Sequence, residues 1–195
     1  GQWMLILIPG GGEFAGKERL AAAIRERFPD LTTMVWMVND TVTNIARGEV
    51  REILYGPGYI EEKIMGLRFQ ITPGSFFQTN SRQTESLYKA AIDLAGVTPT
   101  DTLLDLYCGA GTIGLCAAGR VQAVVGIDLD GEAIASARRN GSINKIGNAE
   151  FHAGLIRELL DAEALCGRRF DPVIIDPPRA GMHPDALKRI AAINP

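Results

Sequence analysis

A decapeptide in the middle of the chain, Asp105-Leu-Tyr-Cys-Gly109-Ala-Gly111-Thr-Ile-Gly114, constrains the fold more than any other stretch. It joins the apolar run Thr102–Leu106 to a second one opened by Thr112, with glycine at three of the six positions from 109 to 114. This spacing predicts a strand that ends in a tight turn and feeds straight into a helix. Glycine lets the backbone approach a ligand without a Cβ in the way, and a helix start carries N–H groups with no partner of their own. Strand, turn and helix in this order predict an α/β fold with its ligand crevice at the C-terminal tips of the strands.

The flanking pattern agrees with that reading. After Pro73-Gly74, strands are predicted over Thr102–Leu106, Ala123–Ile127, Glu150–His152 and Val173–Ile175. Helices are predicted over Arg82–Ala95, Thr112–Ala118, Glu132–Asn144, Ile156–Leu165 and Pro184–Ile193. On the first helix Leu87, Ala91 and Leu94 fall on one face, and Gly96 marks its end. Four strands, each followed by a helix, predict an incomplete, mostly parallel Rossmann-like sheet wound on both faces. The next element expected after Ile193 is another strand; the edge that awaits it exposes unpaired backbone groups, and self-association is expected there.

Residues 1–71 have the texture of a small α+β domain, so the expected domains are 1–71 and 72–195. Met4–Ile8 reads as a strand and Thr32–Val38 as a second. Between them Lys17–Phe28 reads as a helix, with Leu20, Ile24 and Phe28 spaced four apart and Pro29 stopping it. From Glu49 to Ile71, short apolar runs alternate with Gly56-Pro57-Gly58 and Gly66, as in hairpins.

Composition excludes several classes. The run Met4–Ile8 is too short to span a bilayer, and no basic segment with a cleavage site precedes it, so neither a membrane anchor nor a signal peptide is expected. The net charge is −3, from 20 basic and 23 acidic residues, with no basic stripe. If the partner is a nucleic acid, most of the phosphate-binding surface lies elsewhere. Cys108, Cys116 and Cys166 are odd in number and lack the paired spacing of a zinc site, which predicts reduced thiols in a cytoplasmic protein and no metal. His152 and His183 read as loop or surface histidines.

Two carboxylates complete a candidate site. Asp128 closes the second strand, 19 residues after Gly109, where an acidic side chain accepts hydrogen bonds from a ribose diol. The glycines alone also fit a dinucleotide, which leaves an NAD(P)-dependent oxidoreductase open. Against it, Asp105 lies in the loop approach, where it can face a cationic group such as a methionyl amine. Asp176, in Val173-Ile-Ile-Asp176-Pro177-Pro178-Arg179, ends the fourth strand on the crevice side, held by two prolines of fixed φ. Taken singly, Asp176 reads equally as a turn or capping residue.

Three segments together carry a resemblance. Ser75-Phe-Phe-Gln78-Thr-Asn80, the Asp105–Gly114 loop and Asp176-Pro-Pro-Arg179-Ala-Gly181 occur in the order and approximate spacing of the RNA 5-methyluridine methyltransferases, the uracil-C5 enzymes of tRNA and 23S rRNA. Residues 1–71 resemble that family's central domain, and 72–195 the first part of its class I methyltransferase domain. The resemblance implies S-adenosyl-L-methionine as cofactor and RNA as substrate. It assigns cofactor contacts to Gln78, Tyr107, Thr112, Asp128 and Asp176, with Gly109 and Gly111 in the loop. Asp128 stands where many members carry glutamate. Plain alternatives exist: a loop amide for Gln78, core aromatics for Phe76, Phe77 and Tyr107, a helix N-cap for Thr112, and turn roles for Asn39 and Asn44.

The family adds a cysteine thiolate at C6 of uracil to make C5 nucleophilic, then removes the C5 proton with a base. That cysteine follows the Asp-Pro-Pro-Arg helix in a Ser-Cys-Asn-Pro context, which these 195 residues do not contain. They also hold neither the β-barrel RNA-binding module nor the iron–sulfur cysteine cluster of some members. Cofactor binding without turnover is therefore expected, with all three cysteines structural. A non-catalytic RNA-binding or assembly module remains open.

Overall fold

A computed structural model describes residues 1–9, 13–39, 48–163 and 165–193. Contacts divide the chain into two compact units, Gly1–Glu62 with Gln70–Ser75, and Lys63–Phe69 with Phe76–Pro195. No helix among the described residues is long and apolar enough to cross a membrane.

The first unit is built on β1 (Met4–Leu7), α1 (Lys17–Arg27), β2 (Thr33–Val38) and β3 (Glu49–Tyr55). The central β2 runs parallel to β1 and antiparallel to β3. All of β2 is buried, which explains its uncharged sequence Thr-Met-Val-Trp-Met-Val. Trp36 packs edge-on against Phe14, and the Lys17 ammonium sits 5.0 Å from the centre of its ring while pairing with Glu52 of β3. The contact face of α1 is not the expected stripe. Ala21 is its buried residue, whereas Leu20 and Phe28 are exposed, so the helix meets its surroundings through a small side chain. Asn44 lies outside the described residues.

β4 (Ile60–Ile64) and β5 (Leu67–Ile71) form a hairpin around Met65-Gly66, whose φ values of 49° and 84° give the two-residue turn that suits strand twist. The Gly56-Pro57-Gly58 turn closes no hairpin. β3 pairs with β2 instead, and the turn is tied back to β2: the Gly58 N–H donates to the Thr33 hydroxyl, which donates to the Tyr55 carbonyl.

In the second unit, β6 (Thr102–Leu106), β7 (Ala123–Asp128), β8 (Ala149–Ala153) and β9 (Val173–Ile175) form one sheet in the order β8-β7-β6-β9, parallel throughout. Around it lie α2 (Ser81–Leu94), α3 (Thr112–Ala117), α4 (Gly131–Ile143), α5 (Ile156–Asp161) and α6 (Pro184–Ile193). Alternate strand residues serve opposite faces. Leu103, Val124 and Phe151 join a core with Tyr88, Leu115 and Ile134. Leu104, Leu106, Val125 and Ile127 join another with Ile156, Leu160 and Ile190. Coverage on both faces is what makes these strands continuous apolar runs. β8 and β9 are the edges.

Two helices depart from expectation. α5 stops at Asp161 because Ala162 turns extended, although Leu165 is still buried. α2 buries Thr84, Tyr88 and Ile92, one step round from the expected Leu87, Ala91 and Leu94 stripe, and Leu94 is 88% exposed. Asn80 caps α2 by accepting the Gln83 N–H at 3.2 Å. Replacing the fully buried Ile92 by Ala is expected to cost about 2–5 kcal/mol. Leu94→Ala is expected to change stability by no more than about 0.5 kcal/mol. Urea unfolding of the two variants checks the assignment of the face.

Candidate functional site

The glycine loop is held from below by a carboxylate. Asp105 is 1% exposed, and its Oδ2 accepts the Gly114 N–H at 2.9 Å. Its Oδ1 is shielded and has no hydrogen-bond partner. Asp105 therefore lies beneath the loop, whereas its place in the approach predicted a carboxylate facing the crevice. Burial pushes its carboxyl up to about 7; the Gly114 N–H works against that rise, and the charges of Asp176 and Asp128 add to it.

Chain geometry above Asp105 is tightly specified. Tyr107 leaves β6 with φ 61°, a left-handed conformation that costs a non-glycine residue roughly 1–2 kcal/mol. Gly109 and Gly111 follow with φ of 53° and 75°. A Cβ on Gly111 would lie 2.9 Å from Ala137 and from the Phe151 ring, and one on Gly114 would lie 2.8 Å from Val124. These two glycines let the loop and α3 sit down on the sheet. A Cβ on Gly109 would meet nothing within 4 Å, so this glycine faces open space. The buried Asn140 amide supports the loop through the Ala110 carbonyl at 3.4 Å.

The strand tips bring the other candidates in. Asp128 ends β7 and accepts the Gly109 N–H at 2.9 Å through Oδ2 and the Asp130 N–H at 2.9 Å through Oδ1. The Asp176 N–H donates to the Leu106 carbonyl at 3.3 Å, which fixes it beside the end of β6, and Asp176 is exposed. Burial raises the Tyr107 hydroxyl above its ordinary range, and Asp128 adds to the rise. Tyr107, Gly109, Gly111, Thr112, Asp128 and Asp176 thus share the C-terminal edge of β7-β6-β9. Gln78 stands two residues ahead of the α2 cap, half-buried. The following helix α2 reaches the loop through Tyr88, whose hydroxyl lies 3.0 Å from that of Thr112.

Other assignments change. Gly111 is the residue before α3 and Thr112 is its first helical residue, so Thr112 is not the N-cap; its hydroxyl is engaged with Tyr88 instead. Phe77 packs on the core, 6.2 Å from Phe69 between ring centres, while Phe76 is exposed. His152 lies on β8, with a shielded Nε2 that has no hydrogen-bond partner, and is not a loop histidine. Cys108 is buried, Cys116 partly so and Cys166 exposed. Burial pushes the Cys108 thiol far up, with Asp105 and Asp128 adding, and pushes Cys116 up to about 12. Sequence reading missed Tyr88 and Asn140. Tyr88 was legible as the middle of the Thr84, Tyr88, Ile92 spacing; Asn140 gave no signal.

Comparison with known proteins places this geometry. Residues 18–194 match the family described as tRNA (Uracil-5-)-methyltransferase. The chain belongs to this family. A Porphyromonas gingivalis protein named as an uncharacterized RNA methyltransferase is 41% identical, over 100% of this chain and 42% of that one. An Oceanobacillus iheyensis protein similarly named is 36% identical over 98% and 42%. The chain thus spans about two-fifths of the length of these relatives. Among solved structures, the Pyrococcus abyssi tRNA (uracil-54, C5)-methyltransferase in complex with S-adenosyl-L-homocysteine superposes with a TM-score of 0.76 and 31% identity, over 98% of this chain and 44% of that one. The M. jannaschii tRNA m1G37 methyltransferase, at TM-score 0.58 and 15% identity over 98% and 55%, shares the fold. The Rossmann-like class I methyltransferase fold expected from the loop is the fold observed.

Asp105 makes stability depend on pH. Its native carboxyl lies above its ordinary 3.8, so the folded chain keeps a proton that the unfolded chain releases. This group therefore opposes folding more strongly as pH rises from about 4 to about 7. The integrated effect is about 4 kcal/mol. Asp105→Asn is expected to remove this slope, seen as a smaller fall in denaturation midpoint across that window than in wild type.

Proposed function

We propose that this chain is the S-adenosyl-L-methionine-binding part of an RNA uracil-C5 methyltransferase that works in the cytoplasm. The observation that carries the reading is the convergence of Asp105, Asp128 and Asp176 on one glycine loop. A cationic cofactor suits such a site. Asp105 keeps a buried, unsatisfied acceptor beneath the loop, which a donor lodged there would pair. Gly109 leaves the loop open on its outer side, and Asp128, already fixed through Gly109 and Asp130, keeps lone pairs for a ribose diol.

The residues divide the work as follows. Asp128 orients the ribose, Asp105 draws the methionyl amine by its charge from beneath the loop, and Tyr107 and Asp176 line the crevice beside β6. Gln78 and Thr112 supply polar contacts from the α2 and α3 sides. S-adenosylmethionine, when bound, supplies an electrophilic methyl group on a sulfonium. The family relationship and the P. abyssi enzyme's S-adenosyl-L-homocysteine support the cofactor, and the family's description supports the uracil-C5 reaction on RNA. Residues 1–62 with 70–75 correspond in this reading to the small α+β central domain.

Turnover requires a thiolate, and these residues do not furnish one. Cys108 and Cys116 are held protonated by burial, and Cys166 is exposed beyond α5. The isolated chain therefore binds cofactor without methylating RNA.

Calorimetry tests the reading. S-adenosylmethionine and S-adenosylhomocysteine are expected to bind one to one, Asp128→Ala to weaken both, and NAD not to bind. Affinity is expected to rise from pH 6 to pH 8, because the Asp105 proton must leave before its charge can attract an amine at the loop. Binding of NAD without S-adenosylmethionine would overturn the assignment in favour of an oxidoreductase. Methyl transfer to uridine-containing RNA by the isolated chain would overturn the predicted inactivity.

A further inference from the structure

Among the described residues, Tyr88 brings a buried side-chain hydroxyl to the candidate site from outside the loop and strand tips. It is 4% exposed and sits in the middle of the buried stripe of α2. Its hydroxyl lies 3.0 Å from the Thr112 hydroxyl, at the start of α3. A buried tyrosine needs a partner for its O–H, and most find one in the backbone. Here the partner is the side chain of a candidate ligand-binding residue.

The direction of this bond follows from burial. Two hydroxyls sharing one contact use one proton and leave the other free. If Thr112 donated, the Tyr88 proton would be sealed in the core without an acceptor, a cost of about 1–3 kcal/mol. If Tyr88 donates, the free proton belongs to Thr112, which is only half-buried. Burial raises the Tyr88 hydroxyl, the Thr112 hydrogen bond opposes the rise and the charges of Asp176, Cys116 and Asp105 add to it, so the hydroxyl keeps its proton at neutral pH.

We propose that Tyr88 is a positioning residue: by donating to Thr112 it aims the Thr112 proton outward, at the carboxylate of the cofactor's methionyl group. The proposal rests on the cofactor reading above. Its chemical logic is charge balance. Asp105, Asp128 and Asp176 can only accept hydrogen bonds when ionised, so they suit the amine, the sulfonium and the ribose but repel the cofactor's single anionic group. That carboxylate needs neutral donors, and a hydroxyl whose proton direction is fixed in advance binds it without an ordering cost.

The test compares S-adenosylhomocysteine with 5′-methylthioadenosine, which lacks the carboxylate and the amine. Tyr88→Phe keeps the ring in the core and removes the donor. It is expected to weaken S-adenosylhomocysteine about 5- to 10-fold and to leave methylthioadenosine within about 2-fold, with unchanged circular dichroism. Thr112→Val is expected to show the same selective loss, Thr112→Ser to retain affinity, and the Tyr88→Phe, Thr112→Val pair to lose little more than either alone. Should Tyr88→Phe fail to fold, the Thr112→Val and Thr112→Ser pair decides by the same selectivity. Equal weakening of both ligands, additive losses, or undiminished S-adenosylhomocysteine affinity in Tyr88→Phe would each overturn the proposal while leaving the cofactor reading intact. A wild-type chain that binds neither ligand overturns both.

Discussion

One hydrogen bond organises the site: the Gly114 N–H donated to the Asp105 carboxylate. It ties the first turn of α3 to the face of β6, so the loop between them spans a fixed distance. Asp105 shares that sheet face with Leu103, where a side chain points into the core unless something polar meets it. Burying a carboxylate there is costly, and the rise of its pKa to about 7 expresses that cost. The arrangement survives because the surrounding apolar contacts of Leu103, Leu115 and Val124 over-determine the position of α3. A strained Tyr107 and an orphaned Asp105 oxygen two residues before it are departures from local optimum of the sort that ligand sites carry.

Shape complementarity, not conformational freedom alone, accounts for the loop's glycines. Gly111 has a positive φ, but its more demanding constraint is the Phe151 ring and Ala137 pressed against it. Gly126 of β7 meets the same ring, so Phe151 fills a space that two glycines leave open. The loop thus rests on an aromatic floor supplied by β8, with Asn140 of α4 holding the Ala110 carbonyl from the side. Because β6, β7 and β8 are in parallel register, a shift of any one strand would move the floor relative to the Asp128 bridge to Gly109. Sheet register and loop geometry are therefore one constraint.

Much of this was legible because parallel strands and glycine turns leave short-range signatures. Thr102–Leu106, Val173–Ile175 and Pro184–Ile193 carry their boundaries in residues that punctuate the chain locally. The failures share a cause, in that each depended on a polar partner that hydropathy alone does not reveal. The face of α2 was misread because Leu87 and Leu94 outrank Thr84 and Tyr88 in hydrophobicity, yet Thr84 bonds the Asn80 carbonyl and Tyr88 finds Thr112. A polar atom with an available partner is cheap to bury, and periodicity weighted by hydropathy alone cannot see the partner. Likewise, Gly56-Pro57-Gly58 looks like a hairpin turn until Thr33, 25 residues away, ties it to β2. That Asp128 and Asp176 stand at the ends of their strands was legible, because strand order and length follow from the local pattern. That Asp105 lies under the loop did not follow, since the direction of its side chain depends on which face α3 covers.

The same electrostatics that favour a cation at this loop are hostile to a thiolate. Cys108 sits between Asp105 and Asp128 in the turn, and both carboxylates raise its pKa on top of the effect of burial. Cys116 on α3 feels Glu85 and Asp105 in the same sense. A cysteine is a nucleophile only as its thiolate, which forms near cations, helix starts or metals. Burial and the nearby carboxylates together keep Cys108 and Cys116 as thiols at neutral pH. A carboxylate-lined loop of this kind favours a cation and a neutral thiol in the same place. In the function proposed above, the electrophile would lie over the acidic tips of β6, β7 and β9, and a nucleophilic thiolate would act from beyond their field.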